Sequence, residues 1–594
     1  MARPDPHSYF DDRQPRTRHA HLALLVDFER RILEGDCTLE LTAAGAGQLD
    51  LDTRGLRIES VSVPGLPGVP FALSEVDPVL GQRLRIHLPP GASQVTIRYR
   101  TTAESMALQW LEPEQTAGKR HPFLFSQCQA IHARTVAPLQ DSPIARLTYS
   151  AELTIPRALS AVMSAAPGEV KDLPNSNARV VRFEMPQAIP PYLLALAVGE
   201  LEGRDLSPRA RVWAEPSVVE QAAWEFAEVE SMIQAAEALF GPYDWERYDM
   251  IVLPPSFPYG GMENPRMTFL TPTLLSGDRS LVDVVAHELA HSWTGNLISN
   301  ATADHFWLNE GFTVWAERRI LEALHGEEAA TLGWALGENS LEDSLSRLLP
   351  RPEWTRLRTD LAGIDPDEAY STVPYEKGAR FLHLLEHQVG RSRFDLFVRA
   401  YMSRFRFSSI TTEQFLAFLE AELPGAAAAV HAEEWIHGAG KPSNSPVFRS
   451  ANLTRLEQWA ARWPERPTDQ EAMALSAVER QLYLQRLPRS LDADALAWLD
   501  RTFDLSRSRN HEILVEWLVI ALNSDYQPVF ARAAELTASV GRMKYLRPLY
   551  RALGRHPRTR DLGREIFARA ARSYHPISRR VVEETIAQWV DSGV

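Results

Sequence analysis

The hydrophobic period of this chain changes partway along, and that change divides it. From about His21 to Leu201, apolar and polar residues alternate in CTLELTA, RLRIHL, QVTIRYR, RLTYSAELTIP, ARVVRFEM and LLALAVGEL, with turns rich in Pro, Gly and Asp between them. A period of two sends successive side chains to opposite faces of a strand, so this stretch predicts a β-rich region. Beyond GRDLSPRARVWAEP the period becomes helical, beginning with VVEQAAWEFAEVESMIQAAEAL. GAGKPSNSPVF reads as a linker, and a succession of amphipathic helical segments follows it, from RLEQWAARW to REIFARAARSY. Helix pairs stacked as a small solenoid are expected there, although no strict sequence period shows. The expectation is an α+β multidomain protein: 1–202 β-rich, 203–442 catalytic, 443–452 a linker and 453–594 α-helical. A chain of 594 residues is too long for one hydrophobic core, which agrees with that division.

Composition narrows the class. The formal net charge of −14 argues against nucleic acid or an anionic membrane as partner and tilts towards cationic substrates. Two cysteines, Cys37 and Cys128, are too few for a disulfide framework and lack metal-ligand spacing. The polar N-terminus has no apolar core of a secretory signal, and no run approaches the roughly 18 apolar residues needed to cross a bilayer. A cytoplasmic monomer is expected.

The chemistry concentrates in VVAHELAHSWTGNL. His287 and His291 stand one helical turn apart on the same face, close enough to share one ion. Glu288 points to the edge of that face, where a carboxylate reaches a water at the metal and acts as a base, not a ligand. Nineteen residues after His291, FWLNEGFTVWAERRI supplies Glu310 near the start of a second amphipathic helix. The polar NLISNATADH between them is long enough to double the chain back. Two imidazoles and one carboxylate suit zinc better than calcium or an iron–sulfur cluster. A structural zinc would be closed by a fourth ligand, and these helices offer none, so a catalytic Zn2+, one per chain, is expected.

Upstream stands PYGGMENPRMTFLTPTLL and downstream DPDEAYSTVPYEKG. With HELAHSWTGNL and WLNEGF, these resemble the zinc aminopeptidases of peptidase family M1. SQCQAIHAR, FPYGGMENP and VGRMKYLRPLY resemble its leukotriene A4 hydrolase branch in particular, so the likeness runs from about residue 120 to 550. It implies a saddle-like β domain, a thermolysin-like catalytic domain and an α-helical domain of HEAT or armadillo type. It makes His287, His291 and Glu310 the zinc ligands and Glu288 the general base. It implies that Gly260, Gly261 and Met262 pair with substrate backbone along a strand edge, and that Glu263 and Gln129 hold the substrate's α-ammonium. Tyr375 becomes the partner of the oxyanion. Asp367 and Tyr370 shape the side-chain pocket, and Arg542 and Lys544 receive a C-terminal carboxylate. The implied activity is release of N-terminal residues, Arg or Lys favoured, from short peptides with a free N-terminus. The alternative is hydrolysis of a leukotriene A4-type lipid epoxide. From Gly541 onward, twelve Lys and Arg face five Asp and Glu, which reads as a solvated helical face or as a surface for an acidic partner.

Overall fold

The computed structural model describes residues 3–103 and 105–589, and of residues 43–46 the backbone alone. The last five positions of the expected helical domain, 590–594, and positions 1, 2 and 104 of the expected β-rich domain lie outside the described residues.

An eight-stranded sheet dominates the first 190 residues. In it β1 (Thr17–Asp27) runs antiparallel to β2 (Ile32–Thr53), β2 runs antiparallel to β3 (Gln82–Arg100), and β1 runs parallel to β4 (Leu147–Pro156). In β4 buried and half-buried residues alternate strictly, so the period of two read from its sequence is one face of the sheet meeting the core. RLRIHL and QVTIRYR, expected as two strands, are the two halves of β3. The Pro- and Gly-bearing stretch between them stays in the strand because β2 slips its register opposite it, between Glu40 and Gly47, so both strands bend together.

The first residues are stapled into this region. Asp5, His7 and Ser8 are buried. Ser8 Oγ donates to Asp52 at 2.5 Å, and the Arg134 guanidinium donates to the His7 carbonyl at 2.7 Å and to Asp141 at 2.9 Å. His7 Nε2 lies 2.9 Å from the carbonyl oxygens of both Leu361 and Ile364. One short segment thus ties the sheet to the loop that carries residues 127–134 and to the loop after residue 360.

In the middle of the chain, β5 (Tyr248–Val252) runs parallel to β7 (Thr268–Leu270), and β6 (Gly261–Met262) pairs with β7 at the edge of a five-stranded sheet. The helix α1 (Asp283–Ala290) packs on β6, and α2 (Trp307–His325), α3 (Glu327–Arg347) and α4 (Val373–Val389) pack beyond it. The expectation that α2 is amphipathic is corrected: every residue from Trp307 to Ile320 is buried. The helix lies at the centre of the domain, touched by α1, α3 and α4. It meets α4 closely at Gly311 and Gly378, where a Cβ on Gly311 would stand 2.8 Å from the Gly378 Cα. The polar loop before it carries a short strand, Ile298–Asn300, that pairs with Ser408–Ile410.

From Gly438 to Ser450 there is neither helix nor strand, but Phe448 stacks on Trp334 with ring centroids 4.6 Å apart. The helices that follow form two layers. One layer stacks α5 (Ala451–Ala461), α6 (Ala477–Arg486), α7 (His511–Asn523), α8 (Met543–Leu553) and α9 (Pro576–Ala587) in sequence, each touching the next. Each contributes to one core, through Leu456, Leu482, Leu514, Leu546 and Val582. Intervening helices such as Ala493–Phe503 and Pro557–Ala570 form the second layer. This is the expected stacking of helix pairs. Both cysteines are free and buried, and no described helix is long and apolar enough to cross a membrane.

Candidate active site

The helix α1 ends at Ala290, between the two histidines. His291 nevertheless keeps helical torsions, with φ −55° and ψ −24°, and its N–H bonds to the His287 carbonyl at 3.2 Å. The imidazoles therefore remain one turn apart, with Nε2 atoms separated by 3.2 Å. Glu310, in the first turn of α2, places Oε2 3.4 Å from each Nε2. A tetrahedral ion with bonds of about 2.0–2.1 Å needs ligand atoms about 3.3 Å apart, which is the size of this triangle. Glu310 Oε2 is buried with no hydrogen-bond donor, so the residues present fit a cation.

The outer ring nitrogens orient the inner ones. His287 Nδ1 lies 3.0 Å from Glu317 Oε2, and His291 Nδ1 lies 3.0 Å from the Thr294 carbonyl. Each Nδ1–H donates outward, so each Nε2 lone pair faces the triangle. Glu317 was missed by the sequence reading. Its signal was present, seven residues and two turns beyond Glu310 on the same helix. Burial alone would raise Glu310, but His291 and His287 hold its carboxyl down to about 2. Burial would likewise lower His287, yet the neighbouring carboxylates of Glu310, Glu317 and Glu288 hold it well above the usual imidazole range. Negative charge is in excess here, which suits a divalent ion.

Glu288 is buried, and burial pushes its carboxyl up to about 7 against the opposing pull of His287 and His291. Its oxygen, one of Glu263 and a nitrogen of His291 lie within 4.8 Å of one another. A carboxyl poised near neutrality can both take and return a proton. The neighbouring glycines are explained by protein groups. A Cβ on Gly261 would overlap the Glu288 carboxylate, and one on Gly260 would stand 2.6 Å from an Arg542 nitrogen. Met262 turns inward, with Sδ 3.2 Å from Gln127 Nε2, which leaves its backbone to offer to a ligand.

Glu263 is buried and accepts from Gln129 Nε2 at 3.3 Å, while Asn296 holds its carbonyl at 2.6 Å. Tyr375, in the first turn of α4, stacks over His287 with centroids 6.2 Å apart and stands 6.1 Å from Tyr370. Burial, then Glu310 and Tyr370, push its phenol well above the usual range, so it stays a donor. Asp367 faces a residue that the sequence reading left without a role, His132, whose Nε2 is 2.9 Å away. Burial would raise Asp367, but His132 and more distant cations lower it, so it stays ionised. Arg542 and Lys544 converge on a second unanticipated residue. Glu512 Oε1 accepts from Lys544 at 2.8 Å and from Arg542 at 3.4 Å, and these cations overcome burial to hold it down to about 2. The anticipated residues other than Met262 line one cavity of about 1100 Å³.

The chain is similar to known proteins over nearly its whole length. The pattern of the Peptidase M1 N-terminal domain matches residues 14–193, that of the Peptidase family M1 domain residues 224–435, and that of Leukotriene A4 hydrolase, C-terminal, residues 475–586. Leucine aminopeptidase 2 of Yarrowia lipolytica is 39% identical over 597 residues, covering 95% of this chain and 91% of its own. Leukotriene A-4 hydrolase of Xenopus laevis is 37% identical, covering 98% of this chain and 99% of its own. The structure of yeast LTA4 hydrolase in complex with bestatin superposes with a TM-score of 0.90 at 33% identity, covering 98% of this chain and 97% of the other. The chain belongs to peptidase family M1, in the branch that carries the leukotriene A4 hydrolase C-terminal domain.

Proposed function

We propose that this protein is a zinc aminopeptidase that releases N-terminal residues from short peptides, with one zinc per chain held by His287, His291 and Glu310. The observation that carries this reading is a ligand triangle of 3.2–3.4 Å edges with a buried carboxylate, Glu263, beside it. When bound, the ion supplies Lewis acidity to the scissile carbonyl and lets water attack near neutral pH. Glu263 and Gln129 hold the α-ammonium by charge-assisted hydrogen bonds, so only the first peptide bond reaches the triangle. The Glu288 carboxylate accepts the proton of the attacking water and passes it to the leaving amine. The Tyr375 phenol donates to the carbonyl oxygen as it gains charge. The backbone of β6 pairs with the substrate's, and Arg542 with Lys544 takes the C-terminal carboxylate, which favours short chains. Asp367, ionised beside Tyr370, favours Arg or Lys as the first residue. The boundaries near residues 202 and 443–452 belong to the same reading, supported at the second by the absence of helix and strand from 438 to 450.

A panel of aminoacyl-fluorophores, each with and without an N-acetyl block, tests this. Release is expected from free amines only, abolished by a chelator and restored by zinc, with Arg and Lys leading. Equal cleavage of the acetylated compounds overturns the exopeptidase reading, and a lead for Leu overturns the preference. A second reading is favoured by the cavity itself, which runs from the triangle past Tyr375 and Tyr370 to Arg542, with room for a fatty-acid epoxide and a cation for its carboxylate. The name of the Xenopus laevis relative supports the same idea. Incubation with leukotriene A4 is expected to give one stereoisomer of a dihydroxy acid, and a racemic product equal to that of boiled protein overturns this activity.

A further inference from the structure

Among the basic side chains that line the cavity, two groups on or near α8 differ in what neutralises them. Arg542 and Lys544 share the Glu512 carboxylate. The second group is Arg347, at the C-terminal end of α3, with Arg547 and Arg551, one turn apart on α8. Among the described residues, none of these three makes an ion pair. Arg347 gives a long bond to Ser344 Oγ at 3.5 Å and leaves its buried Nε with no acceptor. Burial, then repulsion from Arg347 and Arg551, brings the Arg547 guanidinium down to about 10, and Asp343 only partly opposes this. Folded proteins seldom gather like charges without a counter-charge, and guanidiniums match carboxylates with paired N–H donors. The trio is assembled by two domains, since α3 packs on the helical layers, so it belongs to the cavity and not to one helix face.

We propose that Arg347, Arg547 and Arg551 form a second anion subsite that receives an acidic side chain at the C-terminal end of the substrate. Short peptides ending in Asp or Glu are then the favoured class. The inference rests on the peptide-hydrolysis reading above. The main-chain carboxylate goes to Arg542 and Lys544, and the side-chain carboxylate goes to the unpaired trio. A chain of net charge −14 repels acidic peptides at long range, and a local basic cluster is what admits them.

The test compares Arg-Ala-Glu with Arg-Ala-Gln, which differ at this one group. Binding to the zinc-loaded full-length Glu288→Gln protein is measured by calorimetry, and kcat/KM is measured with the unmodified enzyme. The Glu-ended peptide is expected to lead by roughly tenfold in both, the worth of one charge-assisted contact pair. In Arg547→Gln/Arg551→Gln the ratio is expected to fall to about one, and in Arg551→Gln, whose exposed side chain is dispensable for folding, to fall partway. Equal binding of the two peptides, or an unchanged ratio in the double variant, overturns the subsite. Selective binding of the Glu-ended peptide with neither peptide cleaved by the unmodified enzyme supports the subsite and overturns peptide hydrolysis. Cleavage of both peptides at equal kcat/KM overturns the subsite and keeps the peptidase.

Discussion

The two ends of the cavity are built from opposite surpluses. Around the imidazoles, Glu263, Glu288, Glu310 and Glu317 crowd into one buried space. At the far end, Arg542, Lys544, Arg347, Arg547 and Arg551 face Glu512 and Asp343. Each end lacks the charge that a bound species would bring: a divalent ion and an ammonium at one, carboxylates at the other. A peptide with free termini carries both signs at matching ends. The lesson is that arrangement decides here, because the net charge of −14 by itself foretells only the first end.

The contrast can be broken most severely at the anionic end. Glu288→Gln is expected to keep its zinc, measured by metal analysis, and to lose about a thousandfold or more in kcat, because the proton acceptor is gone while the triangle is intact. Activity within tenfold of the unmodified enzyme would remove Glu288 from its role. Glu317→Gln leaves the three ligands in place and acts on the orientation of His287 and on the pairing with Arg318, and its effect is accordingly smaller. Competition with a chromophoric chelator is expected to show zinc affinity reduced about 10- to 100-fold, with kcat at saturating zinc much less altered. An unchanged affinity would mean that the His287 ring is held by packing alone.

At the cationic end the expected change is the mildest, and it carries a pH signature. Glu512 titrates near 2 in the folded protein against 4.5 unperturbed, so its pairing contributes stability that is present above about pH 4.5 and is lost as pH falls towards 2. Glu512→Gln is expected to lower unfolding free energy by up to about 3 kcal/mol at pH 7, and denaturant titrations should show that difference closing in acid. The same variant frees Arg542 and Lys544, so KM for carboxylate-ended peptides should fall severalfold relative to their amides. A stability difference as large at pH 3 as at pH 7 would point to packing instead of charge.

What could be read from sequence was what is local. The helical period alone put His287 and His291 together, and the carboxylate at Glu310 completed the set because the intervening loop had to turn back. The period could not say that the helix stops between the histidines, since His291 keeps helical torsions after the ladder has ended. Glu317 was legible two turns along α2, on the face that carries Glu310. His132 and Asp367 lie 235 positions apart, and Glu512 lies 32 from Lys544, separations that no local period encodes. Arg347 is further still from legibility, because only the packing of α3 on the helical layers brings it to the cavity. The merging of two expected strands into β3 had a similar cause, since the bend was specified jointly with the facing strand.

The stapled opening segment reaches further than its size suggests. Arg134, anchored by the His7 carbonyl, sits five positions after Gln129 in the same loop, and Ser8 braces Asp52, whose carboxylate also accepts from the backbone N–H groups of Tyr9 and Asp141. Removing the first ten residues would strip these fixings from one wall of the cleft while leaving the metal-binding helices seated on their own core. With Gln129 in its proposed role, such a truncated enzyme is expected to keep hydrolysing amide bonds while telling free from blocked amino ends less sharply, a loss that the acetylated and free fluorophores would register.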